Sequence, residues 1–575
     1  MTIRTLLDQA VAHHGDLPAL EWRTKTGKKF VSYREMYAGI LRISTFAGGE
    51  LGLEPQRDMV GLMLDNSPEW VKCYLALSCC GITVIPLDPK LKPEETAYIL
   101  RDARAAGIIV SARHPPRLDE ILPGLDDLRF VVKTDFGEEP LDSPGSGETI
   151  LDRPVFHLPT ALAHLGDDHT IGDFFRAHVP GDDDIASLLY TSGTTGKPKG
   201  AMITHANFCS DVAAALEAIP GLTPSARFLV VIPLFHSFSF TANLLGSLSL
   251  SSRMQFPESL RTLGEDLRVL APSLVMGVPL LFEKLLARIK DNIRKSPAAR
   301  LLKSCGLGFL VRRKVRASLG GNLKMLVTGG APCSVAMLRG YKRLGIDVVE
   351  GYGLTECSPI VSVTDVESSR HGTIGLPLPG IEVRVADPNE QGVGELQVRG
   401  PIVMKGYFGK PEATAEVFTE DGFLRTGDLV SQDADGYLTI RGRVKALIVN
   451  REGKNIYPEE VEQCLANDPF VRDFLVLGVN EEGVTGEKVG AILVPDMDAV
   501  TAANKGVEPP WEQVEAMMRK RLRKACSRLA DYKHPRVVEV RRESLERTAA
   551  MKIRRHVYNG ALDIKSPAAP ATEDD

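Results

Sequence analysis

The sequence predicts an α/β fold that is divided into more than one domain. The chain has 575 residues, which is more than a single hydrophobic core usually organises. Short apolar runs such as Met59–Met63 and Thr83–Pro86 alternate with segments of helical periodicity through residues 1–110, as in α/β folds. Hydrophobic residues make up 43% of the chain and charged residues 25%, the proportions of an ordinary globular protein.

The segments after residue 110 differ from one another in composition and periodicity. Residues 112–184 are rich in Pro, Gly and Asp and predict a looser region with a surface excursion. Residues 376–441 carry short β-like runs between glycines, which predict a small β-barrel-like subdomain. A compact α+β pattern follows Arg443, and the tail 561–575 has a disordered composition. Between 185 and about 375 the alternation returns, with buried strands expected at Phe228–Ile232, Leu274–Gly277, Met325–Thr328 and Asp347–Glu350.

Composition and charge favour a cytoplasmic enzyme. The net charge of −5 gives no general attraction to nucleic acid or membranes. The nine cysteines lack metal-like spacing and fit a reducing compartment. Because the N-terminus has no apolar signal core, we expect at most peripheral membrane contact. The charge balance gives the further expectation that nucleic acid is not a partner. The sequence leaves a homodimer open.

One segment departs from this balance. Between Lys284 and Lys324 the chain carries twelve Lys or Arg residues against a single acid, Asp291. A solvated helical face is one interpretation. The other is a docking patch for an acidic carrier protein, for the phosphates of a thiol cofactor or for an anionic membrane.

The run Leu189–Gly200, LYTSGTTGKPKG, has the composition of a polyphosphate-binding loop. Glycines allow backbone N–H groups to turn inward, while hydroxyls and lysines add donors and charge. It follows the apolar run Ile185–Tyr190 and precedes a helix-like segment from Ala206, where phosphate loops usually lie. It is not the common P-loop, because Lys197 is followed by Pro198 instead of Ser or Thr.

Four further motifs can carry nucleotide chemistry. VEGYGLTECSP combines an aromatic ring, a hydroxyl and a carboxylate, which could stack on a purine, bond a phosphate and hold Mg²⁺. FLRTGDL offers an aspartate that could accept from both ribose hydroxyls. The other two are RGRVKALIVNREGKNIYP and RTAAMKIRR, which place cations late in the chain. The four motifs occupy Val349–Pro359, Phe423–Leu429, Arg441–Pro458 and Arg547–Arg555.

In this order and spacing, the five motifs resemble those of the adenylate-forming superfamily of acyl-CoA synthetases, luciferases and peptide-synthetase adenylation domains. The resemblance covers nearly the whole chain. It implies a large N-terminal domain, 1–441, that binds ATP and a carboxylic acid. It also implies a hinge at 442–446 and a small mobile C-terminal domain, 447–560, that rotates between two half-reactions.

The resemblance also implies residue roles. The β- and γ-phosphates would be wrapped by Thr191, Ser192, Gly193, Thr194, Thr195, Gly196 and Lys199. The adenine would be bordered by Gly330, Ala331, Pro332 and Tyr352. Thr355 would contact the α-phosphate, and Glu356, with Thr191, would hold Mg²⁺. The ribose would meet Asp428 and Arg443, with Lys445 at the hinge. Lys552 matches the mobile lysine of the adenylating conformation, although Met551 stands where the family usually has Gly.

These roles fit a reaction in which two anions must be brought together. A carboxylate attacks ATP to give acyl-AMP and pyrophosphate, so cations and fixed donors are needed where charge develops. Coenzyme A then attacks the mixed anhydride. The alternative from another class is a nucleotide-binding regulatory or kinase-like protein, which would need neither Lys552 nor the TGD motif.

The acid is expected to be a medium- or long-chain fatty acid. The pocket should be lined by Leu234–Phe240, Val275–Pro279 and Gly329–Gly330, with His236 flanking the carboxylate. No Asp is present to hold an amino acid's ammonium, because Leu234 precedes the aromatic–His pair. PLFHSFSF and GYGLTECSPIVSV look most like bacterial fatty acyl-CoA ligases and acyl–acyl-carrier-protein synthetases. An acidic carrier as the thiol acceptor and an aryl acid as the substrate therefore remain alternatives.

Overall fold

The computed structural model describes the chain in two compact units. The described residues are 1–24, 27–137, 148–165, 170–191, 197–305, 307–330, 333–365, 370–452, 454–466, 468–480, 486–547, 553–558 and 560–562. The larger unit comprises Met1–Arg384, Gln397–Arg425 and Ala434–Leu438. The smaller unit comprises Val385–Leu396, Thr426–Asp433 and Thr439–Asp575. The predicted hinge, and the predicted boundary near residue 441, remain predictions.

The strands are β1 Pro18–Thr24, β2 Gly27–Ser32, β3 Met59–Met63, β4 Thr83–Pro86, β5 Gly107–Ser111, β6 Phe130–Thr134, β7 Thr149–Ile150, β8 Arg153–His157, β9 Ile185–Thr191, β10 Lys199–Thr204, β11 Arg227–Val230, β12 Arg253–Phe256, β13 Leu274–Gly277, β14 Met325–Gly329, β15 Asp347–Gly353, β16 Ile360–Val363, β17 Leu376–Pro377, β18 Glu382–Ala386, β19 Val393–Arg399, β20 Leu424–Gln432, β21 Leu438–Arg443, β22 Ile448–Val449, β23 Asn455–Ile456, β24 Val471–Val479, β25 Lys488–Pro495 and β26 Val537–Val540.

The α-helices are α1 Ile3–His14, α2 Tyr33–Gly49, α3 Pro68–Ser78, α4 Pro93–Asp102, α5 Leu118–Ile121, α6 Leu158–His164, α7 Asp173–Ala177, α8 His205–Ala218, α9 Ser237–Ser239, α10 Gly246–Ser249, α11 Leu263–Leu270, α12 Pro279–Lys295, α13 Pro297–Ser304, α14 Gly308–Ser318, α15 Val335–Leu344, α16 Pro411–Val417, α17 Pro458–Glu462, α18 Met497–Ala503 and α19 Trp511–Cys526. A π-helical segment, Phe240–Leu245, joins α9 to α10, and short 3₁₀ turns include Thr355–Cys357 and Val444–Ala446. Along the described ranges, no helix combines the length and the apolarity that crossing a membrane requires.

A nine-stranded sheet forms one layer of the larger unit, in the order β17-β16-β15-β14-β13-β11-β12-β1-β2. Its centre is parallel, from β12 through β11, β13 and β14 to β15. Every residue of β13 is buried, as expected for a parallel strand covered on both faces. The strands predicted at Leu274–Gly277, Met325–Thr328 and Asp347–Glu350 are confirmed, and the one predicted at Phe228–Ile232 runs from Arg227 to Val230. The first two are buried throughout, as predicted, whereas Asp347 is exposed at the start of β15.

An eight-stranded sheet of the larger unit has the order β10-β9-β4-β3-β5-β6-β8-β7. The strands predicted at Met59–Met63 and Thr83–Pro86 lie at its centre as β3 and β4. Three further strands, β6, β7 and β8, come from residues 112–184, for which the composition predicts only a looser region. Val131 and Val132 of β6 are fully buried, because the apolar start of a short strand can be covered on both sides while the residues around it stay polar.

The smaller unit is α+β, as predicted. Its three-stranded sheet, β24-β25-β26, packs its buried side chains with those of α19 in one core that contains Val476, Leu493 and Met518. The segment predicted as a β-barrel-like subdomain contributes a four-stranded sheet of order β18-β19-β20-β21.

Candidate active site

The glycine-rich loop connects two antiparallel strands, β9 and β10. Thr191 and Lys199 are directly paired across this ladder, so the two ends of the loop are fixed opposite each other. Pro198 is held by a hydrogen bond from the Tyr98 hydroxyl to its carbonyl, at 3.0 Å. The predicted phosphate-binding residues Ser192, Gly193, Thr194, Thr195 and Gly196 lie outside the described residues.

Glu356 is the centre of a hydroxyl cluster next to that loop. It lies in the 3₁₀ turn that follows β15. Its Oε1 accepts a hydrogen bond from the Tyr407 hydroxyl at 2.9 Å and a longer one from the Thr191 hydroxyl at 3.5 Å. The structure therefore brings together Thr191 and Glu356, the two predicted metal ligands, which are 165 residues apart in sequence.

The turn that presents Glu356 requires glycine at position 353. A Cβ on Gly353 would lie 1.7 Å from the Pro359 carbonyl oxygen, a distance no side chain tolerates. The close approach lets Leu354 N–H donate to the same carbonyl at 3.0 Å. On the other side, Met404 N–H donates to the Glu356 carbonyl at 2.9 Å. The glycine at position 353 is thus explained by backbone packing that fixes the turn bearing the carboxylate.

Tyr407 is a site residue that the sequence analysis missed. Residues 404–408 run beside β10, where Met202 N–H donates to the Gly406 carbonyl and Phe408 N–H to the Gly200 carbonyl, both at 2.9 Å. This pairing carries the Tyr407 phenol to Glu356, and Lys199 Nζ lies 5.2 Å from the centre of the Tyr407 ring. Burial, together with the charge of Glu356, raises the pKa of Tyr407, so the phenol stays protonated as a donor.

This cluster suits a Mg²⁺ ion that is held jointly with a nucleotide. In the described ranges, no three His, Cys, Asp or Glu side chains are grouped as a metal site. Mg²⁺ usually binds one or two carboxylates and takes its other ligands from water and substrate phosphates. One carboxylate with an adjacent threonine hydroxyl fits that pattern. Both hydroxyls donate to Oε1 of Glu356, and the role of Glu356 and Thr191 in holding Mg²⁺ stays a prediction.

The predicted adenine-binding residues lie at the carboxyl ends of β14 and β15. Gly330 has a φ of +79°, which favours glycine. A Cβ on Gly329 would lie 2.9 Å from the Gly351 carbonyl oxygen, so the two strands approach closely here. Tyr352 is buried on β15. Ala331 and Pro332 lie outside the described residues.

The predicted acid-binding segment, residues 234–240, contacts the turn that carries Thr355 and Glu356. His236 occupies the position before α9, and the adjacent Ser237 hydroxyl lies 3.4 Å from the hydroxyl of Thr355. Phe238 Cζ is 3.9 Å from the position a Cβ on Gly329 would take. Asn66 fixes the start of the segment by accepting from Leu234 N–H at 2.7 Å. The residues assigned to the α-phosphate, the adenine border and the acid are therefore neighbours in the larger unit.

The smaller unit holds the predicted ribose-binding pair. Asp428 is buried and its Oδ1 lies 2.6 Å from Arg443 Nε. Gly427, with a φ of +70°, lets the strand turn there, and its N–H donates to Glu395 Oε1 at 3.0 Å. Lys445 is exposed in the 3₁₀ turn after β21. Lys552 lies outside the described residues.

Two family models match the chain. The model described as AMP-binding enzyme matches residues 7–408. The model described as AMP-binding enzyme C-terminal domain matches residues 460–552. The superfamily predicted from the five motifs is thereby confirmed.

Curated relatives agree with this assignment. The long-chain-fatty-acid–CoA ligase FadD15 of Mycobacterium bovis is 32% identical over 448 residues, which cover 73% of this chain and 71% of the relative. The long-chain-fatty-acid–CoA ligase of Escherichia coli O157:H7 is 28% identical over 584 residues, covering 98% and 95%.

Solved structures share the fold. ATP-bound MatB from Rhodopseudomonas palustris superposes with a TM-score of 0.73 at 24% identity and covers 98% of this chain and 99% of its own. A Mycobacterium tuberculosis fatty acyl CoA synthetase gives a TM-score of 0.65 at 23% identity, with 97% of each chain covered.

Proposed function

The chain belongs to the AMP-binding enzyme family, and from that premise we propose that it is a fatty acid–CoA ligase. It activates a medium- or long-chain fatty acid with ATP to acyl-AMP and pyrophosphate, and then transfers the acyl group to the thiol of coenzyme A. This is the activity named for the relatives that align over nearly the full length of this chain.

One observation carries the proposal at the level of the site. Thr355 lies between the two segments that we assign to the substrates: its neighbour Glu356 accepts from Thr191 at the end of the glycine-rich loop, and its own hydroxyl lies 3.4 Å from that of Ser237 in the predicted acid-binding segment. A phosphate bound at Thr355 would therefore lie next to a carboxylate bound beside His236. That is the arrangement needed for attack on the α-phosphate.

The chain's own residues supply charge and orientation. Lys199 and the loop donors hold the β- and γ-phosphates, which leave as pyrophosphate. Thr355 donates to the α-phosphate, and Lys552 bridges that phosphate and the attacking carboxylate, whose negative charges repel each other. When bound to Glu356 and Thr191, Mg²⁺ supplies further charge neutralisation at the polyphosphate. For the thioester step, Lys552 withdraws and the thiol attacks the acyl carbonyl carbon of acyl-AMP, so that a C–S bond forms, the thiol gives up its proton and AMP leaves.

The acid is assigned from the character of the segment 234–240. Leu234 and Phe240 are buried, and Phe235 packs its ring 4.6 Å from that of His236. A segment of aliphatic and aromatic side chains with one imidazole and no carboxylate suits a fatty acid better than an amino acid, whose ammonium group needs a carboxylate partner. We propose coenzyme A as the acceptor thiol, and an acyl carrier protein is the alternative acceptor.

The test is ATP–pyrophosphate exchange with a panel of acids: palmitate, octanoate, benzoate and a neutral amino acid. We expect exchange with the two fatty acids well above the others, and thioester formation when coenzyme A is added. Glu356→Gln is the matched control and should lower the exchange rate by the same factor for every acid. Production of ADP instead of pyrophosphate would favour the kinase-like alternative, and exchange with no acid would overturn the proposal.

A further inference from the structure

Helix α4 contacts the chain at both ends of the glycine-rich loop. Tyr98 and Asp102 are four residues apart and therefore lie next to each other on one face of the helix. The Tyr98 hydroxyl donates to the Pro198 carbonyl at 3.0 Å, and Asp102 Oδ2 accepts from the Tyr190 hydroxyl at 2.8 Å. Pro198 comes directly before β10, and Tyr190 comes directly before Thr191. One face of a single helix thus holds the start and the end of the loop.

The Asp102 carboxylate also holds a third segment. Its Oδ1 pairs with Lys410 Nζ. The Lys410 N–H donates to the Tyr407 carbonyl at 3.1 Å and closes a β-turn, in which Gly409 has a φ of +62°. Tyr407 is the residue whose phenol donates to Glu356 at 2.9 Å. Asp102 is therefore linked to the hydroxyl cluster around Glu356 through one ion pair and one turn.

The position of Asp102 is unfavourable unless the residue has these partners. It is the last residue of α4, where the helix dipole disfavours a negative charge. Its side chain is only 16% exposed, and a carboxylate removed from water needs a cation and hydrogen-bond donors. Burial, followed by the hydrogen bond to Asp102, raises the pKa of Tyr190, so that phenol stays protonated as a donor. The segments that Asp102 joins are thus the same segments that make its burial possible.

Asp102 lies on the side of β9 that faces away from the hydroxyl cluster. Side chains alternate between the two faces of a strand, so Tyr190 reaches Asp102 on the face opposite to Thr191. The Thr191 hydroxyl lies on the other face, 3.5 Å from Glu356 Oε1. Any effect of Asp102 on a bound nucleotide therefore passes through the residues that it holds.

We propose that Asp102 is a positioning residue for the polyphosphate end of the nucleotide site. Through Tyr190 it fixes the start of the glycine-rich loop, and through Lys410 it fixes the turn that carries Tyr407. These are the segments that we assign to the β- and γ-phosphates and to Mg²⁺, so that ATP as the ligand rests on the proposed function. The residues assigned to the adenine and the α-phosphate lie on other segments. Loss of Asp102 should therefore weaken the binding of ATP and spare that of AMP.

The experiment is calorimetric titration of the full-length chain with Mg²⁺–ATP and with AMP, together with thermal unfolding. Asp102→Ala should raise the Kd of ATP about tenfold, because it removes hydrogen bonds to a charged group. It should leave the Kd of AMP unchanged, because AMP has no β- or γ-phosphate. Asp102→Asn keeps an acceptor for Tyr190 but loses the ion pair, and should raise the Kd of ATP about threefold.

Two milder variants separate the two connections of Asp102. Tyr190→Phe removes the hydroxyl and keeps the ring, and Lys410→Met removes the ammonium and keeps most of the aliphatic stem. Each should raise the Kd of ATP about threefold, and the two factors should multiply to the loss seen in Asp102→Ala. If Asp102→Ala does not fold, these two variants carry the test in its place. Unchanged ATP affinity in both of them would overturn the proposal.

The matched control is Glu69→Gln on helix α3. Glu69 pairs with Lys72 at 2.7 Å, and the two side chains are 15% and 26% exposed, against 16% and 26% for Asp102 and Lys410. The control should leave the Kd of both nucleotides unchanged. Equal losses of ATP and AMP binding in Asp102→Ala, or an equal loss of ATP binding in Glu69→Gln, would show a general structural effect and overturn the positioning role.

ATP–pyrophosphate exchange distinguishes this proposal from the proposed function. In exchange with palmitate, Asp102→Ala should raise the KM for ATP and leave the KM for palmitate unchanged. A selective loss of ATP binding in a chain that supports exchange with no acid would contradict the proposed function alone. Exchange with palmitate, combined with equal ATP affinity in every variant, would contradict the role of Asp102 alone.

Discussion

Replacing Tyr407 by Phe tests whether the phenol positions the carboxylate that we assign to Mg²⁺. The substitution removes one hydroxyl and keeps the ring that Lys199 Nζ approaches at 5.2 Å. It leaves Glu356 with the longer hydrogen bond from Thr191, at 3.5 Å, as its remaining described hydroxyl contact. The backbone pairing of residues 404–408 with β10 does not involve the phenol, so the fold should be kept.

The expected magnitude follows from the 2.9 Å bond to a carboxylate. A hydrogen bond to a charged group contributes about 1.5–3 kcal/mol when it is buried. Glu356 is only partly buried, so we take the lower value, which corresponds to about a tenfold loss in kcat/KM for ATP. The loss should shrink as Mg²⁺ is raised, because a carboxylate that has lost its orientation binds the cation more weakly.

The assay is ATP–pyrophosphate exchange with palmitate across a Mg²⁺ titration, together with thermal unfolding. The control is Tyr37→Phe, which removes a phenol that donates to the Asp8 carboxylate at 3.2 Å on helices α1 and α2. Unchanged exchange for Tyr407→Phe at limiting Mg²⁺ would refute the positioning role. A loss of the same size in Tyr37→Phe would show that the effect is one of general stability.

The remaining predictions concern three other residues. Lys552→Ala should abolish acyl-AMP formation but largely spare thioester formation from preformed acyl-AMP, and equal loss in the two half-reactions would contradict its role. Asp428→Asn, at the carboxylate paired with Arg443 at 2.6 Å, should raise the KM for ATP in exchange about tenfold with little change in kcat, and an unchanged KM would remove it from the ribose site. Burial lowers the pKa of His205 from 6.5 to about 4, so the unfolded state takes up the proton first and stability contributed by the neutral ring is lost as pH falls below about 6.5. The variant His205→Asn keeps an acceptor for Ile3 N–H but has no ring to protonate. Between about pH 7.5 and pH 5, its free energy of unfolding in urea should therefore fall by about 2 kcal/mol less than that of the unmodified chain. Identical pH dependences would show that the buried ring does not titrate as described.

Much of the fold was predictable because parallel strands leave a simple signal. Leu274–Gly277 is a continuous apolar run, and a strand covered on both faces needs nothing more. The motifs that contain Thr191, Thr355 and Glu356 stand out in the sequence because a phosphate site requires hydroxyls, a carboxylate and glycines in close succession. The structure brings Thr191 and Glu356 together at 3.5 Å, and the roles that the family resemblance gives these residues stay predictions. Burial on both faces makes the strand recognisable, and the chemistry of phosphate binding makes the motif recognisable.

Other features depend on contacts between distant parts of the chain. Tyr407 reaches Glu356 across 51 residues, and its own surroundings, GYFGKPEAT, carry no local sign of a carboxylate partner. His205 accepts from Ile3 N–H across 202 residues. Strands β6 and β8 lie within a segment whose average composition is polar. Each of these features depends on which distant residues pair with each other. Periodicity and motif spacing along the sequence do not reveal that pairing.

The pairing also indicates that the carboxylate is positioned before any substrate binds. Three segments distant in sequence hold one another through backbone hydrogen bonds: β10 to residues 404–408, and Met404 to the Glu356 turn. Glu356 and Thr191, at the end of the glycine-rich loop, are thus set by the fold. Because ordering these groups costs nothing further when ATP arrives, more of the binding energy remains for bringing the α-phosphate and the carboxylate together. The proposed function also accounts for the difference between this loop and a common P-loop: we expect the loop to hold the pyrophosphate that leaves, while the bond that breaks lies at the α-phosphate that we assign to Thr355.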